Sequence, residues 1–201
     1  MKDQRTWFFA RTADINEILH SLGPLPGPKK RPALVVVAGL PGTGKSELCR
    51  DLGRRAGAVI LQSDVLRRLL FERPVYSWQE SRRLFAAIHA VCQKLLRSGV
   101  SCIVDATNLS ESHRRPLYDI AERAGAKLIV VEVTAPREVA CSRLSERAAM
   151  ADSVSEADAA VYERMSREWE EIGRDHFVVD TSKRTARAVS AIAREMDSGQ
   201  E

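Results

Sequence analysis

From residue 33 onward the chain alternates between short apolar runs and longer stretches whose apolar residues recur every three to four positions. The runs at 33–38, 58–63, 101–105, 126–133 and 176–180 are strand-sized and rich in Val and Ile, as buried pleated segments are. The stretches at 45–56, 65–72, 77–98, 110–124, 136–149, 155–172 and 183–197 read as helices. In 77–98, Leu84, Ile88, Val91 and Leu95 form one stripe at helical spacing, which predicts a core-facing side. Near-continuous apolar strands separated by helices predict an α/β domain, a parallel sheet covered on both faces. Ligands then bind at the carboxyl ends of the strands. Residues 1–31 read as separate: Thr12 is placed to cap a short helix carrying Ile15, Ile18, Leu19 and Leu22 on one face, and the Pro/Gly-rich run 23–32 breaks it. The expected organisation is therefore 1–31, helix and linker, followed by a domain at 32–201 with no internal repeat.

Size and composition narrow the class. A chain of 201 residues suffices for one α/β core. The longest apolar run, Ala33 to Ala38, is far too short to span a membrane. Lys2, Asp3, Arg5 and Arg11 precede no long apolar segment, so a secretory signal is not expected. Cys49, Cys92, Cys102 and Cys141 are widely spaced with no C-x-x-C, which predicts buried reduced thiols and a cytoplasmic location. A net charge of +4 permits an anionic substrate without singling out nucleic acid.

The chemistry concentrates after the first strand. Leu34 to Ala38 runs into Gly39-x-x-x-x-Gly44-Lys45-Ser46, the Walker A spacing. Gly39, Gly42 and Gly44 let the backbone turn its N–H groups around a polyphosphate, with Pro41 and Thr43 completing the loop. The following helix, which opens with Lys45, Ser46 and Glu47, points its positive end at the same anion. Lys45 suits the β and γ phosphates of ATP, and the Ser46 hydroxyl suits Mg²⁺.

The second strand ends at Ser63-Asp64, with Arg67 one turn later. Asp64 can take a proton from an attacking hydroxyl, and Arg67 can hold substrate; a helix cap accounts for Ser63 or Asp64 equally well. The third strand ends in Asp105-Ala106-Thr107-Asn108, the usual place of a Walker B acid for Mg²⁺. Asn108 can bind substrate or shape the turn. Arg143 and Arg147 lie four apart on one helix face, where they can clamp a migrating phosphoryl group or simply face solvent. Arg82 with Arg83 and Arg114 with Arg115 are further basic pairs, open to either reading. Trp7, Trp78 and Trp169 are scattered, and His20, His89, His113 and His176 share no spacing and no evident acid partner.

These motifs, over about residues 33–182, resemble the P-loop kinases that include polynucleotide 5′-hydroxyl kinases and the zeta-toxin-like and gluconate-kinase-like ATP-binding proteins. The resemblance rests on residues 39–46, Ser63-Asp64-x-x-Arg67, residues 105–109 with Arg114 and Arg115, and Arg143-x-x-x-Arg147. Val154 and Tyr162 to Met165 resemble the segment that follows the lid. It implies a three-layer P-loop fold with a mostly parallel five-stranded sheet in the order 2-3-1-4-5 and a helical lid at about 136–150. It further implies Asp64 as base with Arg67 as its partner, and Arg147, with Arg143 second, as the lid arginine. Ala106 stands where the phage-type enzymes have an Asp directly before Thr-Asn. The expected activity is transfer of the γ phosphate of ATP to a hydroxyl, with a polynucleotide 5′-hydroxyl, a sugar, an antibiotic or a nucleotide sugar as acceptor. An ATP-binding switch with a protein partner is the alternative of another class.

Overall fold

The structure, a computed structural model, describes residues 10–149 and 159–198. Trp7, Val154, the start of the helix expected at 155 and the last residue of the expected lid lie outside the described residues. The strands are β1 (Ala33–Ala38), β2 (Val59–Gln62), β3 (Cys102–Asp105), β4 (Lys127–Thr134) and β5 (Phe177–Asp180). The helices are α1 (Thr12–Ser21), α2 (Lys45–Ala56), α3 (Ser63–Leu70), α4 (Trp78–Arg97), α5 (Glu111–Arg123), α6 (Arg137–Ala149), α7 (Ala159–Arg167) and α8 (Ala186–Asp197).

All strand pairings are parallel, in the order β2-β3-β1-β4-β5, the order expected of a P-loop fold. The reason for the unbroken apolar runs is visible in β1. All six of its residues are buried, and alternate side chains feed opposite cores. Leu34, Val36 and Ala38 join α4 and α5 on one face; Ala33, Val35 and Val37 join α2 and α8 on the other. Each buried Val or Leu contributes about 1.5–3 kcal/mol by leaving water, so a polar residue anywhere in β1 faces a core. Register aligns the carboxyl ends: Asp105 of β3 lies opposite Val37 of β1 and Gln62 of β2. The ends of β1, β2 and β3 thus open on one rim.

Two local expectations are corrected. Arg11, not Thr12, is the N-cap of α1, and no side chain caps it. Nor does α1 stand apart, since Ile18 is fully buried in the same cluster as Leu34 and Leu84. Asp14, also buried, accepts two hydrogen bonds from Arg83 of α4, at 2.7 and 2.6 Å. An amphipathic helix next to an open apolar face packs onto it rather than remaining in water. Among the described residues no helix is long and apolar enough to cross a membrane.

Candidate active site

The loop between β1 and α2 is held open by absent side chains. Gly42 has φ 78°, and a Cβ there would lie 2.4 Å from the Ala140 carbonyl oxygen of α6. A Cβ on Gly39 would lie equally close to the Val133 carbonyl oxygen of β4. Backbone cannot yield as a flexible side chain can, so packing as well as the turn demands glycine. Thr43 closes the turn by donating from both its N–H and its hydroxyl to the Leu40 carbonyl. Lys45, buried at the start of α2, donates from Nζ to the same carbonyl at 2.8 Å. Burial lowers the Lys45 pKa, while the Asp105 and Asp64 carboxylates oppose that shift. Pro41, Gly44, Ser46 and Glu47 line the cavity that this loop borders.

The two acids differ in environment. Asp105 is 3% exposed, and its Oδ2 has no hydrogen-bond partner. Burial pushes its pKa up, and Lys45 and a hydrogen bond with Ser46 pull against this. Gln62 Nε2 donates to Ser46 Oγ at 3.0 Å, fixing the hydroxyl beside the acid. An orphaned buried carboxylate oxygen next to an oriented hydroxyl fits a hard divalent cation. The described residues contain no cluster of three or more His, Cys, Asp or Glu, so the donor set suits Mg²⁺, which retains waters and phosphate oxygens, rather than an all-protein cage. Asp64 lies in the first turn of α3, whose N-cap is Gln62 with no side-chain cap bond. Neither Ser63 nor Asp64 is therefore the cap. Burial raises the Asp64 pKa; Lys45, Arg67 and Arg147 lower it and Asp105 raises it. A carboxylate whose basicity is raised by burial is suited to receive a proton.

The arginines divide by partner. Arg67 is 6% exposed and pairs with Glu80 of α4 at 2.5 Å, with the Tyr76 ring 4.6 Å from its guanidinium carbon. It lines the cavity, yet its nearest acid is Glu80, a pairing sequence spacing does not suggest. Arg143 donates to Thr181, at 2.8 Å to the hydroxyl and 3.0 Å to the carbonyl, and lies 3.5 Å from the Gly42 carbonyl. The Thr181 hydroxyl donates in turn to the Thr43 carbonyl, so Arg143 ties the loop after β5 to the Walker loop. Arg147, one turn on, donates from Nε to the Arg143 carbonyl. It lies within electrostatic reach of Lys45 and Asp64.

Asn108 is buried at φ 46°, and its Nδ2 donates to the Val37 carbonyl at 2.6 Å, so it shapes the turn after β3 as well as lining the cavity. The Arg114–Arg115 pair separates completely. Arg114 is fully buried and donates to the carbonyls of Asn108, Leu109, Glu170 and Glu171, whereas Arg115 is exposed beside Asp119. Arg114 is thus a staple joining the β3 turn to the segment after α7. His176 has an acid partner after all, Glu132 at 3.2 Å. Both depend on contacts distant in sequence.

Lys45, Ser46, Asp64, Arg67, Asp105, Asn108, Arg143 and Arg147 border one cavity of about 1260 Å³. Among the described residues its walls carry seven basic side chains, including Arg50, Arg82 and Arg164, against four acidic ones, Glu47, Asp64, Asp105 and Glu146. The far wall is a second stripe of α4, Trp78, Arg82, Phe85 and His89, about a third of a turn round the helix from the core-facing one. Its i, i+4, i+7, i+11 spacing was the signal available in the sequence.

A family model described as an AAA domain matches residues 34–172. An L-seryl-tRNA(Sec) kinase of Methanococcus maripaludis is 27% identical over 116 residues, 57% of this chain and 46% of that protein. The chain thus spans about half the length of the curated relative it matches. Among solved structures, the APS kinase CysC of Mycobacterium tuberculosis in complex with AMPPNP and APS is similar with a TM-score of 0.66 at 17% identity, over 86% of this chain and 100% of that one. Kti12 of Chaetomium thermophilum in complex with ADP-AlF3 has a TM-score of 0.65 at 20% identity, over 81% and 98%. At these identities the structural likeness shows the shared fold.

Proposed function

We propose that this chain, which belongs to the AAA domain family, transfers the γ phosphate of ATP to a hydroxyl acceptor with Mg²⁺ present. The observation behind the reading is the convergence of Lys45, Asp64, Asp105 and Arg147 on one cavity beside the Walker loop. A switch that only binds ATP has use for Asp105 beside Mg²⁺, whereas a second carboxylate, Asp64, bordering the same cavity together with Arg147 is superfluous to it. The kinase names of the curated relative and of the M. tuberculosis structure agree with the reading.

In the reaction, the acceptor hydroxyl donates to the Asp64 carboxylate as its oxygen attacks the γ phosphorus. The new oxygen–phosphorus bond forms, the bond to the β-bridging oxygen breaks, the proton ends on Asp64, and ADP leaves. Lys45 and Arg147 meet the charge that spreads over the transferring oxygens. Arg143 holds the Walker loop to the loop after β5 at the nucleotide. Arg67 borders the acceptor side, oriented by Glu80. Ser46 and Asp105 would hold Mg²⁺, which supplies neutralisation of phosphate charge. The basic excess of the cavity favours an anionic acceptor, and a polynucleotide 5′-hydroxyl is the finer reading.

The test offers γ-labelled ATP and Mg²⁺ with 5′-hydroxyl DNA and RNA oligonucleotides beside a panel of sugars and small alcohols. Asp64→Asn should lower label transfer about 10²–10⁴-fold, the range of acid–base contributions, with ATP affinity nearly unchanged. Full transfer by Asp64→Asn removes Asp64 from the chemistry. Slow ATP hydrolysis with no labelled acceptor refutes the kinase reading, and label on a small alcohol alone refutes the polynucleotide one.

A further inference from the structure

Helix α4 has two working faces. Leu84, Ile88, Val91 and Leu95 are buried in the core, while Trp78, Arg82, Phe85 and His89 line the cavity, Phe85 also packing against the edge of that core. Trp78 to His89 covers eleven residue steps, or about 16 Å at 1.5 Å per residue. A wall of that length exceeds what a single sugar or small alcohol touches. The helix packs against α3, the helix that carries Asp64 and follows the edge strand β2. Thr181, which Arg143 ties to the Walker loop, follows β5 at the opposite edge of the sheet. The stripe therefore borders the side from which an acceptor reaches Asp64.

Its rim has specific chemistry. Trp78 is 67% exposed and adjoins the exposed Val75 and Tyr76, a contiguous apolar patch of the kind that marks a binding surface. The Arg82 guanidinium carbon lies 4.2 Å from the centroid of the Trp78 ring, so a cation is held against one π surface. The segment before α4 is built rather than slack. The Ser77 hydroxyl caps α4 by accepting from the Glu80 N–H, and Glu80 accepts from the Val75 N–H at 2.8 Å. Tyr76 is held at φ 53°, a conformation that a bulky residue adopts only when its surroundings impose it. Val75 and Tyr76 are exposed beside Trp78. A rigid aromatic surface paired with a guanidinium matches a ligand that carries a flat ring and negative charge together.

We propose that Trp78 and Arg82 form a stacking platform for a nucleobase of the acceptor, and that the cavity-facing stripe of α4 is the track along which a nucleotide-bearing acceptor reaches Asp64. The base lies on the Trp78 indole, Arg82 faces an adjoining phosphate, and Phe85 and His89 line the deeper part of the track. This deepens the kinase reading above and rests on it for the position of the reactive hydroxyl; the platform itself is a binding site whose occupancy is measurable without transfer.

The experiment therefore has two readouts. Binding of a fluorescein-labelled 5′-hydroxyl DNA oligonucleotide and of adenosine 3′-phosphate is measured without ATP, by anisotropy and by quenching of tryptophan emission. Transfer kinetics with ATP and Mg²⁺ are measured on the same two acceptors. Trp78→Ala should raise Kd and the acceptor KM about 5- to 150-fold, the range of one base–aromatic stack. Trp78→Phe should restore most of that loss, and the KM for ATP should stay within about twofold. Arg82→Ala should weaken binding and flatten its salt dependence, because one phosphate contact is lost. Because Trp78 is exposed, its truncation leaves the core intact, and an unchanged thermal midpoint checks this. Oligonucleotide bound far better than adenosine 3′-phosphate assigns the platform to a nucleic acid end; equal binding assigns it to a mononucleotide. Transfer to either acceptor with KM unmoved by Trp78→Ala and Arg82→Ala overturns the platform and leaves the kinase reading standing. Trp78-dependent binding without transfer upholds the platform as a binding site and overturns its role in presenting an acceptor to Asp64. Transfer to small alcohols alone, with no nucleotide binding, overturns the proposal.

Discussion

Replacing Glu80 by Ala should be strongly destabilising. The Glu80 and Arg67 side chains are 6% and 7% exposed, and they meet at 2.5 Å. Glu80 also accepts from the Val75 N–H, and Arg67 already has one buried donor, Nε, without a partner. Glu80→Ala therefore leaves the Arg67 guanidinium with only the Ser81 hydroxyl and the Tyr76 ring for partners among the described residues, and frees a backbone N–H. Breaking a buried pair from one side costs about 3–5 kcal/mol. For a chain of this length, about 2–4 °C of Tm goes with each kcal/mol, so the midpoint should fall by about 6–20 °C. Glu80→Gln keeps an acceptor and loses only the charge, and should cost less, about 1–3 kcal/mol.

The sign with pH follows from the carboxyl. Burial raises its pKa, but the hydrogen bonds from Arg67 and Val75 and the Arg67 charge outweigh burial and hold it below 4.5. The contribution of the pair is then full above about pH 4.5 and is lost as pH falls through the depressed value. Thermal unfolding of the wild type and both variants at pH 7 measures the cost. Acceptor KM should rise in Glu80→Ala, because the strained Tyr76 turn loses its anchor, while the KM for ATP should hold. A Tm change below about 3 °C for Glu80→Ala would refute the reasoning, since a buried charge cannot be orphaned so cheaply.

Three further outcomes follow from the same contacts. Gly42→Ala should abolish nucleotide binding in a filter or calorimetric assay, because its Cβ would lie 2.4 Å from the Ala140 carbonyl at a left-handed φ; retained affinity would mean that α6 moves freely. Arg147→Ala should lower kcat about 10²–10³-fold with little change in the KM for ATP, whereas Arg143→Ala should chiefly raise that KM, because its guanidinium ties Thr181 to the Walker loop. His89, whose pKa burial pulls down to about 4 from 6.5, stays neutral when folded while the unfolded chain takes up a proton. Stability should accordingly drop by roughly 2–3 kcal/mol between about pH 6.5 and pH 4, in urea titrations, and His89→Leu should remove that component.

Much of this molecule is legible along the chain because its signals are local. Unbroken apolar runs mark strands buried on both faces, and β1, with each residue in one of two cores, is the plainest case. Glycine spacing, the strand before it and Lys45 identify a phosphate cradle because the cradle is built from consecutive backbone atoms. The strand order came from resemblance, and the pairings agree with it. Long side chains are different, because their partners are chosen by which elements pack together. Arg67 lies one turn after Asp64 yet pairs with Glu80 of the next helix; Arg114 looks like half of a surface pair yet is buried under four carbonyls. The stripe from Trp78 to His89 has helical spacing, but only the packing of α4 on its other face decides that this one borders the cavity. Periodicity states which residues share a face; what the face meets is decided by contacts across the fold, where burial and charge compensation select partners that no local pattern encodes.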